Sequence, residues 1–269
     1  MSEWIKAFLF GVIEGITEWL PISSTGHMIL FNEFVRLDLS DAFTSMFIVV
    51  IQLGAILAVV LLFFTNMFPF DFGKKEWFKK DTFCMWLKIA VACIPAVVLE
   101  LLFGKQIDKM FYHYQTVAIM LVVVGVLFLL IEKQNANKSV TIASINDITY
   151  TTAFFIGIFQ MMAAIFPGTS RSGATIIGGL LLGMSRSVAA EFTFYLAVPI
   201  MFGASLVKVW KYGIHFTQIE TEVLLIGMIT AFVVSIIVIR FFMQYIKRHD
   251  FKPFGWYRIF LGVLVFVYL

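Results

Sequence analysis

The chain has 269 residues, of which 61% are hydrophobic and only 14% charged, with a formal net charge of +3. A soluble domain carries roughly 25% charged residues, so a soluble globular fold is excluded. The small positive balance identifies no partner, because on a membrane protein the placement of basic residues matters more than their sum. No nucleic-acid partner is expected.

The apolar residues come in blocks of about 16 to 24, near the ~20 that a helix needs to cross hydrocarbon. Bilayer core offers no water to backbone N–H and C=O groups, so the blocks must be helices or a closed barrel. Their apolar runs are continuous rather than alternating, which excludes the barrel. The fold class is therefore all-α integral membrane.

In chain order, the first apolar stretch covers about 4–31. It lacks a basic leader and a small-x-small cleavage site, and Glu14 and Glu18 interrupt it, so it reads as mature protein and not as a signal peptide. Spans are expected at roughly 42–64, 84–103 and 116–131. A second unusual stretch covers about 152–183, and further spans follow at 187–208, 222–242 and 254–269. Six transmembrane helices result. The stretches 4–31 and 152–183 are each broken by Pro, Gly and hydroxyl residues, at Pro21-Ile22-Ser23-Ser24-Thr25-Gly26-His27 and Pro167-Gly168-Thr169-Ser170-Arg171-Ser172-Gly173. Either arm alone is short for a span. Broken backbone at membrane depth is tolerated where protein or a watery cavity shields it. Both stretches are read as re-entrant helix–loop–helix hairpins.

The hairpins resemble one another. Gly11 and Gly157, Pro21 and Pro167, and Ser24 and Ser170 are each 146 positions apart, while Gly26 and Gly173, and Phe47 and Phe194, are 147 apart. Gly125-Val126-Leu127 matches Gly262-Val263-Leu264. Residues 1–269 thus read as a single membrane domain of two repeats, about 1–135 and about 147–269. Each repeat is a hairpin followed by three spans. Three is odd, so the second half enters from the opposite side, as an inverted repeat whose broken helices meet near the midplane.

One side collects Lys74, Lys75, Lys79, Lys80, Lys133, Lys138, Arg186, Arg240, Lys247, Arg248 and Lys252; the other collects Lys6, Arg36, Lys105, Lys109, Lys208 and Lys211. The richer side is expected in the cytoplasm, which puts both termini outside. Trp4, Trp77, Trp210 and Trp256 suit interfacial belts. Cys84 and Cys93 have neither disulfide-framework nor metal-site spacing and read as small apolar residues.

An ionisable residue inside a membrane segment is a functional candidate by default. Glu14 and Glu18 lie four apart, on one helix face. Two such carboxylates either share a divalent cation or perturb one another's protonation; the bland alternative is a pair facing interfacial water. Ser23, Ser24, Thr25 and His27 follow on the break. A hydroxyl with an imidazole three residues on is the minimum for an activated nucleophile, and helix capping by serine is its structural alternative. Arg171, flanked by Ser170 and Ser172, offers a guanidinium fork at a presumed helix N-terminus, a place suited to phosphate. Its alternative is pairing with an acid such as Glu191. Where the first hairpin has Glu14 and Glu18, the second has Gln160 and Ala164. Together these groups suit phosphoryl chemistry on a lipid. His113, His215 and His249 fall in loops and read as solvated.

Glu14-Gly15-Ile16-Thr17-Glu18-Trp19-Leu20-Pro21-Ile22-Ser23-Ser24-Thr25-Gly26-His27 and Pro167-Gly168-Thr169-Ser170-Arg171-Ser172-Gly173-Ala174-Thr175 closely resemble the two signatures of the bacterial undecaprenyl-diphosphatase family, the bacitracin-resistance proteins. The resemblance extends over essentially the whole chain, including Ile51-Gln52-Leu53-Gly54 and Ile94-Pro95-Ala96-Val97-Val98. It implies a hydrolase of the cytoplasmic membrane that converts undecaprenyl diphosphate to undecaprenyl phosphate and inorganic phosphate. Such an enzyme recycles the lipid carrier of peptidoglycan synthesis and confers bacitracin resistance. It also implies a divalent cation, magnesium or calcium, and a site facing the periplasm or outer leaflet.

By match to the motifs, Glu14 and Glu18 would serve metal or acid–base roles. Arg171 would hold the diphosphate, with Ser170, Ser172, Thr25 and Ser23 as further contacts. Ser24 would be the nucleophile with His27 assisting, or would position phosphate while a metal-bound water attacks. A homodimer is left open.

A type-2 phosphatidic-acid phosphatase would need a second histidine soon after its Ser-Arg element, and none follows before His215. A structural scaffold leaves the intramembrane ionisable residues unexplained. The stronger rival is a polyprenyl-phosphate transporter or flippase on the same inverted-repeat frame. It needs an anion clamp but no nucleophile.

Overall fold

The computed structural model describes residues 1–71, 73, 77–135 and 138–268. Lys74 and Lys75 of the charge asymmetry, and Leu269 at the end of the last expected span, lie outside these. Among the described residues the chain is helical, with no β-strand and only two isolated bridges, Phe70 with Phe78 and Ile142 with Met184. In chain order the helices are α1 (Glu3–Thr17), α2 (Ser24–Phe34), α3 (Asp41–Val50), α4 (Gln52–Leu62), α5 (Phe64–Met67), α6 (Lys80–Phe111) and α7 (Tyr114–Asn135). A short 3-10 turn (Ile145–Asp147) precedes α8 (Tyr150–Ile165), α9 (Arg171–Leu181), α10 (Arg186–Tyr212), α11 (Gln218–Tyr245) and α12 (Lys252–Tyr268).

Among the described residues five helical stretches are long and apolar enough to cross a membrane: Asp41–Leu62, which joins α3 and α4, and α6, α7, α10 and α11. The sixth expected span is α12, with 17 residues, slightly short of the ~20 that span hydrocarbon. Hydroxyl caps set the helix starts. Ser40 accepts from the Phe43 N–H, Thr149 from Thr152 and Ser185 from Val188. Thr217 and Glu220 form a reciprocal capping box at the start of α11. Pro95 and Pro199 lie inside α6 and α10, which continue through them. Large apolar side chains such as Leu101 (79% exposed) and Trp210 (87%) point outward. A perimeter of that kind belongs in lipid. The protein is a multi-pass membrane protein.

Helix packing runs through small residues, which let backbones approach where lipid supplies no hydrophobic drive between helices. α1 packs on α11, α8 on α6, and α7 on α12. A Cβ added at Gly11 would stand 2.6 Å from the Gly227 carbonyl oxygen, and one at Gly157 would stand 2.5 Å from that of Ala92. The first half thus lends its leading helix to the second, and the second to the first. On the α7–α12 seam, Gly125 approaches the Gly255 carbonyl and Gly262 approaches that of Ala118. These two contacts exchange under the match of Gly125 with Gly262.

Contacts at the helix ends sort the chain into two poles. At one, Lys6 bonds Asp38 (2.6 Å), Trp4 bonds Glu222 (3.0 Å) and Lys208 bonds Ser45 (3.3 Å). At the other, Arg186 pairs with buried Glu132, Phe251 N–H bonds the same carboxylate (2.9 Å), and Asn135 bonds the Leu180 carbonyl (3.4 Å). The turn between α1 and α2 and the turn between α8 and α9 meet where Ser172 reaches the Leu20 carbonyl.

Candidate active site

The two turns carry the same local device. Ser23 has φ 73° and Ser170 has φ 69°, the only non-glycine residues with positive φ among those described. Such a conformation is costly for a side-chain-bearing residue and persists where its surroundings enforce it. Each serine caps the helix that follows: Ser23 Oγ accepts from Gly26 N–H (3.3 Å) and Ser170 Oγ from Gly173 N–H (3.2 Å). This corrects the register read from sequence. Ser23, not Ser24, is the counterpart of Ser170, so the extra residue belongs to the second turn, between Pro167 and Ser170. Ser24 therefore stands where the second half has Arg171.

Ser24 begins α2 with its hydroxyl donated to Glu18 Oε2 (2.7 Å). The other oxygen, Oε1, receives Arg171 Nη2 (2.7 Å) from the start of α9. One carboxylate from the first half thus holds a hydroxyl and a guanidinium, one from each turn. Arg171 also donates to the Thr193 carbonyl (3.1 Å) and approaches Met201 Sδ (3.4 Å). Its acidic partner is Glu18; Glu191 instead accepts from the Tyr195 hydroxyl.

Glu14, one helical turn before Glu18, is fully buried, and neither of its carboxylate oxygens has a hydrogen-bond partner. It lies within the electrostatic reach of Glu18 and Arg171. Leaving a buried charge unpaired is expensive. Glu14, Ser24 and Thr25 line a cavity of about 210 Å³ together with Asn32, Gln52 and Tyr112. Among the described residues no group of three or more His, Cys, Asp or Glu side chains could by itself hold a metal ion.

His27 does not bond Ser24. Its Nδ1 lies 2.7 Å from the Ser23 carbonyl oxygen and its Nε2 lies 2.7 Å from Tyr257 Oη. A carbonyl oxygen only accepts, so Nδ1 carries a proton, and in the neutral ring Nε2 accepts from the tyrosine. The two rings lie parallel, 6° apart in plane, with centroids at 5.6 Å. The remaining expected contacts are occupied locally. Ser170 and Ser172 hydroxyls bond each other (3.0 Å), and Ser172 also reaches the Leu20 carbonyl (3.4 Å). Thr25 faces the cavity. The exposed positions of His113, His215 and His249 agree with their reading as solvated.

Two residues at the site were not anticipated. Tyr257 holds His27, and nothing in its sequence setting marks it. Arg258 is fully buried and donates to the carbonyls of Pro21 (3.2 Å), Gly168 (2.8 Å) and Thr169 (2.9 Å). Its position inside an expected span was a signal available from sequence, since intramembrane arginines carry a functional presumption.

The arrangement can bind an anionic headgroup between two helix N-termini and a guanidinium, and it presents an oriented hydroxyl beside an unpartnered carboxylate. The comparisons agree with that chemistry. The family model described as Bacitracin resistance protein BacA matches residues 7–264. Undecaprenyl-diphosphatase 1 of Clostridium acetobutylicum is 60% identical over 266 residues, covering 99% of this chain and 97% of that protein. Undecaprenyl-diphosphatase of Desulfitobacterium hafniense is 61% identical over 268 residues, covering 100% and 96%. Undecaprenyl-diphosphatase of Enterococcus faecalis is 56% identical over 265 residues, covering 98% and 96%. The chain belongs to the bacitracin-resistance protein BacA family.

Proposed function

We propose that this protein is a membrane hydrolase that converts undecaprenyl diphosphate and water to undecaprenyl phosphate and inorganic phosphate. It thereby recycles the lipid carrier of peptidoglycan synthesis and confers bacitracin resistance. The observation that carries the reading is the junction at Glu18, where one carboxylate holds Ser24 from one turn and Arg171 from the other. Arg171 and the free N–H groups opening α2 and α9 receive the diphosphate oxygens. Attack on the terminal phosphorus breaks its bond to the bridging oxygen, and undecaprenyl phosphate leaves. Glu18 orients the Ser24 hydroxyl. If serine attacks, Glu18 accepts its proton and water then cleaves the phosphoserine to inorganic phosphate. If water attacks directly, Ser24 positions the phosphate and a carboxylate of the site takes the water's proton. His27 is tied to the Ser23 carbonyl and to Tyr257, so it supports the turn and the headgroup rather than activating Ser24 directly.

The donor set fits a divalent cation of the magnesium type. Glu14 offers two unpartnered oxygens with Glu18 a turn away, and magnesium is held by one or two carboxylates with substrate phosphates and waters completing its shell. Calcium, which takes more protein oxygens, fits this pair less well. When bound, the cation neutralises charge on the phosphate oxygens.

The membrane arrangement follows the same reading. α12 is a sixth span, and α1–α2 and α8–α9 are re-entrant hairpins entering from opposite faces, so residues 1–269 form one membrane domain of two inverted repeats. The pole carrying Lys6 and Asp38 faces the periplasm or outer leaflet, with both termini outside. The cavity beside Ser24 is also lined by Asn32, near the end of α2, and Tyr112, just after α6. A homodimer is compatible with this arrangement.

Phosphate release from undecaprenyl diphosphate in detergent, with and without EDTA, tests the reading on wild type and Ser24→Ala. Metal-dependent release that is lost in the variant is expected. No release from a folded wild type would turn the reading to a polyprenyl-phosphate carrier.

A further inference from the structure

Among the described residues Arg258 has no carboxylate partner. A fully buried guanidinium is normally paired with an acid, because removing the charge from water costs several kcal/mol. Here it meets only three backbone carbonyls, of Pro21, Gly168 and Thr169, and its Nε has no partner. Those carbonyls belong to both turns: Pro21 lies two residues before the strained Ser23, and Thr169 immediately precedes the strained Ser170. A single planar group thus ties together the two segments whose meeting forms the site.

The pseudo-symmetry of the fold supplies a control. The exchange of Gly125–Gly255 with Gly262–Ala118 sets Leu121 opposite Arg258. The glycine contacts agree, since a Cβ at Gly26 would meet Leu121 at 3.0 Å while one at Gly173 would meet Arg258 Nη1 at 3.2 Å. Leu121 is fully buried, like Arg258. The same structural place behind a serine-capped turn is therefore filled in one half by an apolar side chain and in the other by a charge. Packing alone does not call for an arginine there.

The charges point the same way. Glu18 is already paired by Arg171 at 2.7 Å, so the Arg258 guanidinium is a positive charge behind the turns that no acid among the described residues offsets. Arg258 lies close enough to His27 to act on it electrostatically.

We propose that Arg258 is a positioning residue of the phosphatase site, holding the two serine-capped turns in register and supplying the positive charge that lets an anionic diphosphate enter beside two carboxylates. The proposal rests on the hydrolase reading above and assigns Arg258 no contact with substrate. Charge and geometry separate experimentally. Arg258→Lys keeps the charge, but an ammonium cannot reach three carbonyls with a rigid planar fork. Arg258→Gln keeps polarity and loses the charge. Gly173→Ala keeps the arginine and presses a methyl group against its Nη1.

The test is steady-state hydrolysis of undecaprenyl diphosphate with magnesium, using detergent-purified full-length protein that elutes as a single species on gel filtration. For Arg258→Lys, kcat is expected to fall about 100-fold, the scale of a misplaced reacting group, with KM within about twofold of wild type. For Arg258→Gln, KM rises about tenfold as well, the scale of one lost charge contact. Gly173→Ala is expected to lower kcat about tenfold at unchanged KM. Equilibrium binding of undecaprenyl diphosphate in a Ser24→Ala background gives a readout free of turnover, with Kd raised about tenfold by Arg258→Gln and not by Arg258→Lys. Wild-type kcat in both Arg258→Lys and Gly173→Ala overturns the positioning role, and unchanged Kd in Arg258→Gln overturns the charge role. If Arg258→Gln does not remain monodisperse, the other two variants decide. A wild type that binds but does not hydrolyse refutes the hydrolase reading and leaves the binding comparison to judge Arg258.

Discussion

Glu18→Gln tests the junction on which the site depends. The carboxylate accepts two charge-assisted or hydroxyl bonds, from Arg171 Nη2 and Ser24 Oγ, both at 2.7 Å. Both charged side chains are largely buried, 13% exposed for Arg171 and 8% for Glu18. An amide in the same volume has one acceptor oxygen, so either Arg171 or Ser24 must face an N–H₂ group. If the oxygen stays on Arg171, the amide donates to Ser24, which reverses that bond and turns the serine proton into the cavity. If it stays on Ser24, Arg171 faces another donor. Breaking one partner of a buried pair costs about 3 kcal/mol, the low end for such sites, because Arg171 retains the Thr193 carbonyl. Loss of an oriented proton acceptor lowers turnover about 100-fold or more. The assay is phosphate release from undecaprenyl diphosphate at saturating magnesium, run beside thermal unfolding in the same detergent. A kcat within about threefold of wild type in a folded Glu18→Gln protein would refute the reasoning, since the loss expected of an acid–base group begins at about 100-fold.

Four further outcomes are expected. Ser24→Ala should abolish hydrolysis without loss of folding, because among the described residues its hydroxyl bonds only Glu18; near-normal turnover would remove its assigned role. Glu14→Gln should leave the metal-free protein as stable or more stable, since its carboxylate oxygens are buried without partners, while the magnesium titration moves to higher concentration. An unchanged titration would take Glu14 out of the cation site. Tyr257→Phe preserves the stacked ring but frees His27 Nε2, so the pH–rate profile should shift with a modest fall in kcat; an identical profile would exclude a role for the histidine's tautomer. Gly54→Val should prevent stable packing of α4 on α11, because a Cβ there would lie 2.0 Å from the Met228 carbonyl oxygen, and normal recovery with a wild-type melting temperature would contradict that geometry.

The amino-acid sequence by itself determined the membrane class, the helical blocks and the two broken segments. These follow from local physics: long apolar runs must satisfy their own backbone in lipid, and Pro, Gly and hydroxyl clusters interrupt them. The candidate residues Glu14, Glu18 and Arg171 stood out for the same reason, since they are conspicuous in apolar surroundings. Tertiary structure decided how they combine. Residues 153 positions apart, Glu18 and Arg171, form one ion pair, and no local pattern specifies which acid an arginine meets. The hydroxyl register was misread by one residue because sequence spacing cannot tell a capping serine from its neighbour, whereas the positive φ of Ser23 and Ser170 does. Ser24 and His27, neighbours in sequence, point to different partners, Glu18 and Tyr257. Arg258 joins the site from the last helix only because the α7–α12 seam brings it behind both turns. Lipid exposure selects residues one at a time and is written along the chain; a site made where two half-helices meet depends on packing between segments far apart in sequence.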